Sequence, residues 1–238
     1  MRVLIDLANT SVFRGVSRPN PPLIGSRLED LLARVFGVIA HQGFSELRIR
    51  LYDGWFDESG SPTELYGILR AYLRGAFPTR TRTARVFVEL AESVAAARHG
   101  ERLIATARRQ TGLGRYPVRL EKAPPPGCAL PTDCELDSLR TWFKGNCPCR
   151  ATCSVSTDTI AAFGYQKLVD TTIVSDIVWY ASKNEQRIAV MSNDEDVIPG
   201  LLAARSLGGE ILWLGSEDSP RGHYSTVLAD HGVKYHQC

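Results

Sequence analysis

The sequence predicts an α/β protein in which a parallel sheet carries helices on both faces. Short apolar segments alternate along the chain with longer segments whose apolar residues recur at helical spacing, and this alternation is typical of strand–helix–strand units. The length of 238 residues is enough to bury a sizeable core. The composition, 44% hydrophobic and 23% charged, is ordinary for a globular chain.

Three strands and two helices are predicted in the N-terminal part of the chain. The strands are Arg2–Asp6, Leu47–Tyr52 and Ala84–Glu89. The first helix is predicted over 26–42, because its apolar residues follow helical spacing, Ser26 is a suitable N-cap and Gly43 ends the pattern. A proline-rich loop is expected before it, at Pro19, Pro21 and Pro22. The second helix is predicted over 64–73.

The C-terminal part returns to a regular pattern after an irregular middle. Residues 98–122 are rich in arginine and include a candidate strand at 116–122, and prolines 124–126 mark a boundary. Helices are then predicted over 166–182, 197–207 and 224–231, and strands over 187–192 and 210–214. We predict a single domain, 1–238, that contains a cysteine-rich insertion at 124–156.

Charge and hydropathy exclude several classes of protein. With 28 Lys and Arg against 26 Asp and Glu, the net charge of +2 excludes a strongly basic nucleic-acid tail and an acidic disordered chain. The N-terminal apolar run is interrupted at Asp6, too early for a signal peptide. No apolar run approaches the roughly 20 residues that cross a bilayer. We therefore expect a cytoplasmic protein without a membrane partner.

Acidic residues follow two predicted strands and recur in one predicted helix. Asp6 ends the first strand, and Asp194 and Asp196 follow the strand at 187–192. Asp170 lies in the helix predicted over 166–182, and Asp176 lies six residues further along. Ligands of parallel sheets bind beyond the carboxyl ends of the strands. Asp6, Asp170, Asp194 and Asp196 are therefore expected to meet at one point.

Several carboxylates at one point repel one another and need a divalent cation to remain ionised. Hard oxygen ligands suit Mg²⁺ or Mn²⁺, which also bind phosphate oxygens, so the expected chemistry is phosphodiester hydrolysis by a metal-activated water. Helix capping is the alternative role for Asp170, Asp194 and Asp196, but it does not account for Asp6 at a strand end. The sequence contains no glycine-rich dinucleotide loop after the first strand, no P-loop and no nucleophile elbow.

These residues make the chain resemble the NYN domains of the PIN-like metal-dependent ribonuclease superfamily. The opening segment Val3-Leu-Ile-Asp6-x-x-Asn9 and the central segment Lys167-x-Val-Asp170-(x5)-Asp176 match in order and spacing. So does the late segment Val190-Met-Ser192-Asn-Asp194-x-Asp196-x-x-Pro199. The tail over 212–230 is also similar to the last strand and helix of that family.

The resemblance implies a three-layer α/β/α sandwich with a mostly parallel central sheet. It also implies an acidic centre, dependent on Mg²⁺ or Mn²⁺, that cuts RNA as an endoribonuclease. Three carboxylates would form the metal-binding core: Asp6, Asp170 and Asp194.

Around that core the resemblance implies roles for other polar residues. Asp176 and Asp196 would support the metal, Asn9 and Ser192 would orient ligands, and Lys167 would meet a phosphate. The sequence leaves two other functions open, a catalytically inactive module that binds RNA or a protein and a structure-selective DNA nuclease. A homodimer or a regulatory protein partner is also left open.

Five of the six cysteines form a local cluster in the middle of the chain. They are Cys128, Cys134, Cys147, Cys149 and Cys153. Four thiolates in tetrahedral geometry bind Zn²⁺, so four of these five are predicted to hold a structural zinc ion. An iron–sulfur cluster and free or disulfide-bonded thiols are the alternatives. The resemblance supplies no role for this cluster.

Charge is distributed unevenly along the chain. Between Arg70 and Lys122, twelve basic residues stand against four acidic ones, a local charge of +8, and the rest of the chain carries −6. A basic middle with acidic ends fits a nuclease whose RNA substrate lies across a positive surface, although a charge run is often only a solvated face. Arg140 and Lys144 stand among the cysteines and are candidate RNA-binding residues.

Overall fold

A computed structural model describes residues 1–10, 12–13, 20–57, 59–97, 107–112, 162–215 and 224–238, with the backbone alone at 107–112 and 162–167. The strands within these residues are β1 (Arg2–Asp6), β2 (Glu46–Tyr52), β3 (Thr79–Arg80), β4 (Arg85–Leu90), β5 (Ala107–Gly112), β6 (Ala162–Lys167), β7 (Arg187–Met191), β8 (Glu210–Gly215) and β9 (Lys234–Gln237). The α-helices are α1 (Pro21–Ile39), α2 (Glu64–Ala76), α3 (Val169–Ser182), α4 (Ile198–Ser206) and α5 (Tyr224–Asp230).

Seven of the strands form one sheet in the order β3-β4-β2-β1-β7-β8-β9. The short edge strand β3 is antiparallel to β4, and the neighbours from β4 to β9 pair in parallel. The predicted α/β class with a mostly parallel sheet is therefore confirmed. Strand β1 lies in the middle of this sheet, so the carboxyl ends of β2 and β7 flank its own.

Each face of the sheet packs against its own helices, and β1 contributes to both cores. Val3 and Ile5 point to the face covered by α1 and α2. Leu4 points to the opposite face, which α3 and α4 cover. Alternate side chains of a strand point to opposite faces, and a strand covered on both faces is apolar throughout. This explains why the opening strand reads as a continuous apolar run.

Helix α1 begins five residues earlier than the sequence pattern indicates. The sequence pattern predicts Ser26 as the N-cap and a loop at Pro21 and Pro22, but both prolines occupy the first turn of the helix and Asn20 is the cap. The Asn20 side chain accepts a hydrogen bond from the backbone N–H of Leu23 at 3.4 Å. Proline fits the first helical turn because its φ is already helical and its missing N–H would have no partner there.

Helix α3 begins later than predicted, and this changes the setting of Asp170. Residues 166 and 167, expected to be helical, belong to β6. Leu168 follows with a φ of 67°, in the left-handed region, and the helix starts at Val169. A backbone in this region cannot continue a right-handed helix, so the strand-to-helix turn occurs at this residue. Asp170 consequently lies in the first turn of α3.

The chain forms two compact units, one of Met1–Ala107 with Gln166–Cys238 and one of Arg108–Tyr165. The first unit contains the seven-stranded sheet. In the second, β5 pairs with β6 in a two-stranded sheet that includes residues predicted only as an irregular arginine-rich segment. The candidate strand at 116–122 and the cysteine-rich segment at 124–156 lie outside the described residues. Among the described helices, none combines the length and the apolar composition that crossing a bilayer requires.

Candidate metal centre

The carboxyl ends of β1 and β7 bring two predicted site residues together. The two strands are parallel, and Ile5 pairs with Met191, so the next residues, Asp6 and Ser192, lie side by side. The Ser192 hydroxyl donates a hydrogen bond to Oδ2 of Asp6 at 3.1 Å. The contact between residues that are distant in the sequence therefore follows from the register of the sheet.

Asp6 is buried and surrounded by hydrogen-bond donors. Its side chain is 1% exposed. Asn9 donates to it twice, through its backbone N–H to Oδ1 at 3.3 Å and through Nδ2 to Oδ2 at 2.6 Å. The turn after β1 is thus folded around the carboxylate that ends the strand, and Asn9 holds this carboxylate in place.

The environment of Asp6 favours its protonated form. Burial raises the pKa of Asp6 to about 6, against the opposing effect of the hydrogen bonds from Asn9 and Ser192. The nearby negative charge of Asp170 also raises the pKa of Asp6. A carboxyl group in this setting becomes more acidic when a cation binds next to it, since the cation stabilises the ionised form.

Three further carboxylates form a group beside this strand end, which we call the acid group: Asp170, Asp194 and Asp196. One ligand oxygen from each lies within 4.8 Å of the other two. Asp170 and Asp194 are half-buried and Asp196 is exposed. Asp6 does not belong to this set of mutually close carboxylates, although it is near enough for its pKa to respond to the charge of Asp170. The sequence predicts that Asp6, Asp170, Asp194 and Asp196 meet at one point; the last three lie together in the structure, and Asp6 lies outside their mutually close set.

Local structure positions Asp194 and Asp196. Strand β7 is followed by a short 3-10 turn, Glu195–Val197, and Asp194 is its N-cap. Oδ1 of Asp194 accepts a hydrogen bond from the backbone N–H of Asp196 at 2.9 Å. The backbone N–H of Asp194 donates to the Ser192 hydroxyl at 3.1 Å. Asp194 therefore caps a turn, as the alternative interpretation proposed, while its carboxylate also belongs to the acid group.

Asp170 lies among negative charges of the acid group whose effect a bound cation would offset. Burial raises the pKa of Asp170, and the negative charges of Asp194 and Asp196 raise it further. A divalent cation among these oxygens would remove that repulsion, and three carboxylate oxygens are a donor set that suits Mg²⁺ or Mn²⁺. The residues present therefore fit such an ion.

Asp176, predicted to support the metal, makes a different set of contacts. It is 0% exposed and accepts hydrogen bonds from the Tyr52 hydroxyl at 2.7 Å and from the backbone N–H of Ala95 at 2.6 Å. Its Oδ2 lies 3.4 Å from Nε of Arg50. These contacts connect α3 to β2 and to the loop after β4. Burial raises the pKa of Asp176, opposed by Arg50 and by the two hydrogen bonds.

Two further residues at this end of the sheet were not among the predicted site residues. Asn193 Nδ2 donates to the backbone oxygen of Asn9 at 2.6 Å, so it joins the turns after β7 and β1. Asp53 follows β2 and is 3% exposed, and its Oδ1 accepts a hydrogen bond from the backbone N–H of Gly54 at 2.6 Å. An acid at the carboxyl end of a predicted strand is the signal that identifies Asp6, and the same signal is present at Asp53.

Several predicted binding residues have no described side chain. Lys167 is the last residue of β6, and its backbone alone is described. Arg140, Lys144 and the cysteines Cys128, Cys134, Cys147, Cys149 and Cys153 lie outside the described residues. Their roles in binding RNA and zinc stay predictions.

No family model matches the sequence, and neither the curated proteins nor the solved structures include a significant match to it.

Proposed function

We propose that this protein is a metal-dependent endoribonuclease of the NYN group of PIN-like domains. The observation that carries the proposal is the acid group, in which three carboxylate oxygens lie within 4.8 Å of one another beside the buried Asp6. Acids at this position beyond the ends of parallel strands fit a site that handles phosphate through a divalent cation.

The arrangement of helices on both faces of the sheet also supports the proposal. Helices α1 and α2 pack on one face of the sheet and α3 and α4 on the other, which is compatible with a three-layer PIN-like sandwich. The three segments of the proposed motif follow β1, begin α3 and follow β7. Asp170, Asp194 and Asp196 of these segments lie together beside the end of β1 that carries Asp6, which supports the proposal.

In the proposed reaction the residues of this chain have distinct tasks. Asp170, Asp194 and Asp196 would hold the cation. The buried Asp6 would add a further negative charge next to it. Bound there, Mg²⁺ or Mn²⁺ would lower the pKa of a water molecule and neutralise charge on the phosphate. Asn9 and Ser192 fix the orientation of Asp6 through the hydrogen bonds described above. Lys167, which precedes the turn into α3, would meet the phosphate.

The proposed substrate is RNA, and the proposed second metal is structural zinc. The basic stretch between Arg70 and Lys122 carries +8 and suits a polyanion. Four of the five clustered cysteines would bind Zn²⁺ in a reducing cytoplasm. Elemental analysis of the purified protein tests the zinc site: about one zinc per chain is expected, whereas metal-free protein with all six thiols titrating freely would contradict it.

The proposed activity is tested by incubating the protein with defined RNAs, with and without Mn²⁺, and mapping the ends of any products. The expected result is internal cleavage that requires the metal. Asp194→Asn should lower the rate by about a hundredfold or more, because one charged ligand is lost. Asparagine is itself a good N-cap, so this variant keeps the turn after β7.

A neighbouring acid supplies the matched control. Glu195 is exposed and lies outside the acid group, so Glu195→Gln removes one negative charge next to Asp194 and should leave cleavage within about twofold. RNA binding without any product, independent of Mn²⁺, would contradict the proposed activity and favour an inactive RNA-binding module. Cleavage of DNA but not of RNA of the same sequence would favour the DNA nuclease.

A further inference from the structure

The hairpin formed by β3 and β4 carries three exposed arginines at the edge of the sheet. Arg80 ends β3, Arg85 begins β4, and Arg82 lies in the turn between them. Arg80 and Arg85 are paired across the two strands. The short antiparallel pairing therefore places the three arginines close together in the fold.

Within the described part of the chain, no carboxylate forms an ion pair with these three arginines. The nearest candidate by register is Glu46, which pairs with Arg85 across β2 and β4. Its carboxylate instead binds Arg48, with Oε1 at 2.5 Å from Nε. The hairpin thus concentrates positive charge that no carboxylate among the described residues neutralises.

The arginines line an open groove of about 670 Å³, which we call the arginine groove. Ser45, Thr79 and Thr83 add hydroxyl groups to its walls, and Pro78 and Ala84 complete it. Guanidinium groups bind phosphate oxygens through two parallel hydrogen bonds, and hydroxyl groups add single ones. The groove therefore has the chemistry of a site for phosphodiester groups.

An aromatic side chain lies directly beside the arginine groove. The Phe87 ring is half-buried, and the guanidinium groups of Arg85 and Arg48 lie 5.2 and 5.1 Å from its centre. Phe87 and Phe77 line a neighbouring cavity of about 190 Å³ that shares Pro78 with the groove. Unpaired nucleobases stack on aromatic rings and on the planes of arginine guanidinium groups, while other arginines hold the backbone. This pairing of aromatic and cationic groups favours single-stranded nucleic acid over other anions.

The groove and the acid group lie at opposite ends of the sheet. Ser45 precedes β2 and Arg85 begins β4, so the groove lies at the amino ends of these parallel strands. The acid group lies beyond the carboxyl ends, and the seven residues of β2 span about 20 Å at 3.3 Å per residue. A ligand that occupies both sites must extend over several nucleotides.

We infer that the arginine groove is a second RNA-binding site, which holds the backbone of single-stranded RNA away from the point of cleavage. The inference rests on the proposed function for the identity of the nucleic acid. The groove then raises affinity for long RNA and contributes nothing to the hydrolysis of a fragment too short to reach it.

The test compares the wild-type protein with the triple variant R80A/R82A/R85A. Binding of a labelled single-stranded RNA of about 16 nucleotides is measured by fluorescence anisotropy in EDTA, so that cleavage plays no part. The variant is expected to bind about 10-fold more weakly, and the slope of log affinity against log salt is expected to fall by about 2, since each phosphate contact on a single strand contributes about 0.7. With Mn²⁺ present, hydrolysis of an RNA of about 4 nucleotides is expected to be unchanged.

Two further variants keep the test decisive. The control variant R34A/K183A/K234A removes three exposed positive charges outside the groove and should leave RNA affinity within about twofold of wild type. The variant R80K/R82K/R85K keeps the positive charges, so the slope of log affinity against log salt should stay as in wild type. It loses the two parallel hydrogen bonds that each guanidinium group can donate to a phosphate. Circular dichroism is the check that each variant is folded.

RNA affinity and salt slope equal to wild type in the folded triple alanine variant would overturn the inference, even if the protein cleaves RNA. Weaker binding in that variant supports it, even if the wild-type protein cleaves no RNA. If the variant instead loses binding only to vesicles that contain phosphatidylserine, the groove belongs to a lipid headgroup and the inference is overturned.

Discussion

Ser192 connects the buried and the half-buried carboxylates of the candidate centre. Its hydroxyl donates to Asp6 and accepts from the backbone N–H of Asp194, each at 3.1 Å. Its carbonyl oxygen accepts a hydrogen bond from Trp213 Nε1 at 2.8 Å, which anchors the residue to β8. A single side chain therefore fixes the distance between the strand end that holds Asp6 and the turn that holds Asp194.

Asp6 lowers the stability of the metal-free protein at neutral pH. The pKa of Asp6 is raised to about 6 in the folded state, from 3.8, because burial disfavours the charge. The folded state therefore holds the proton more tightly than the unfolded state, and the free energy of unfolding falls as pH rises from about 4 to about 6. A pKa shift of about two units lowers the free energy of unfolding by about 3 kcal/mol, and this loss is complete above about pH 6.

Asp6→Asn is predicted to stabilise the metal-free protein at pH 8 by about 1 to 2 kcal/mol. The gain is smaller than the full effect of the charge, because the amide accepts fewer of the hydrogen bonds that Asn9 and Ser192 donate. Urea unfolding in EDTA measures the effect, and the stabilisation should be lost near pH 3.5, where folded wild type holds Asp6 protonated and only the weaker hydrogen bonding of the amide remains. Asp230→Asn, at an exposed position on α5, is the control and should change little. A variant that is less stable than wild type at pH 8 would contradict the assignment of a charged, buried Asp6.

At the scale of elements, α3 is held to the sheet by a buried ion pair as well as by apolar contacts. Oδ2 of Asp176, on α3, lies 3.4 Å from Nε of Arg50 on β2. It also accepts a hydrogen bond from the Tyr52 hydroxyl. Arg50 has further partners in the Ser93 carbonyl oxygen and the Tyr180 hydroxyl. This network sets the position of the helix whose first turn carries Asp170.

Asp176→Ala is predicted to lower the free energy of unfolding by about 3 kcal/mol, because it leaves the Arg50 charge buried without its main partner. Urea unfolding measures this. The milder Asp176→Asn keeps an acceptor for the Ala95 N–H and should bind Mn²⁺ within about threefold of wild type, since Asp176 lies outside the acid group. A tenfold loss of Mn²⁺ affinity in that folded variant would instead place Asp176 at the metal.

The contact between α3 and α4 depends on a glycine. A Cβ on Gly200 would lie 3.3 Å from Cα and Cγ1 of Val174, so the two helix backbones approach closely there. Gly200→Leu is predicted to destabilise the protein by about 2 kcal/mol or more through overpacking. Gly37 on α1 has open space at the same position, and Gly37→Leu should be neutral or slightly stabilising by helix propensity. Equal thermal stability of the two variants would contradict the close packing.

The ends of elements were harder to predict than their existence. The helical spacing over 28–39 predicts α1, but its first turn contains two prolines that resemble a loop until the cap at Asn20 is seen. Strands β3 and β9 have two and four residues and no buried apolar pattern, so only pairing with their neighbours reveals them. Short edge strands carry little periodic signal of their own.

At the scale of the whole molecule, strand order decides which predicted residues meet. The parallel alignment of β1 and β7 brings Asp6 and Ser192 together, a contact that the sequence analysis does not predict. The contacts of Asp176 depend on tertiary structure. Asp170 and Asp176 are six residues apart on α3 and thus about 240° apart around the helix, so they face different neighbours. Arg50 becomes the neighbour of Asp176 only through the fold.

The fold separates the positive and the negative charges of the chain in space. The overall +2 conceals three arginines gathered at the amino ends of the strands and three aspartates gathered beyond the carboxyl ends. Sequence position separates a basic middle from acidic ends, but the β3–β4 hairpin selects which of the many arginines lie together. The spatial separation of the two charges fits a long polyanionic substrate better than a small one.

A titration with Mn²⁺, followed by isothermal calorimetry, tests the central claim that the acid group holds a divalent cation. The wild-type protein should bind Mn²⁺ saturably, Asp170→Asn and Asp194→Asn should each bind it at least about tenfold more weakly, and Glu195→Gln should match wild type within about twofold. Saturable binding that both aspartate variants retain in full, or no saturable binding by the folded wild-type protein, would contradict the account.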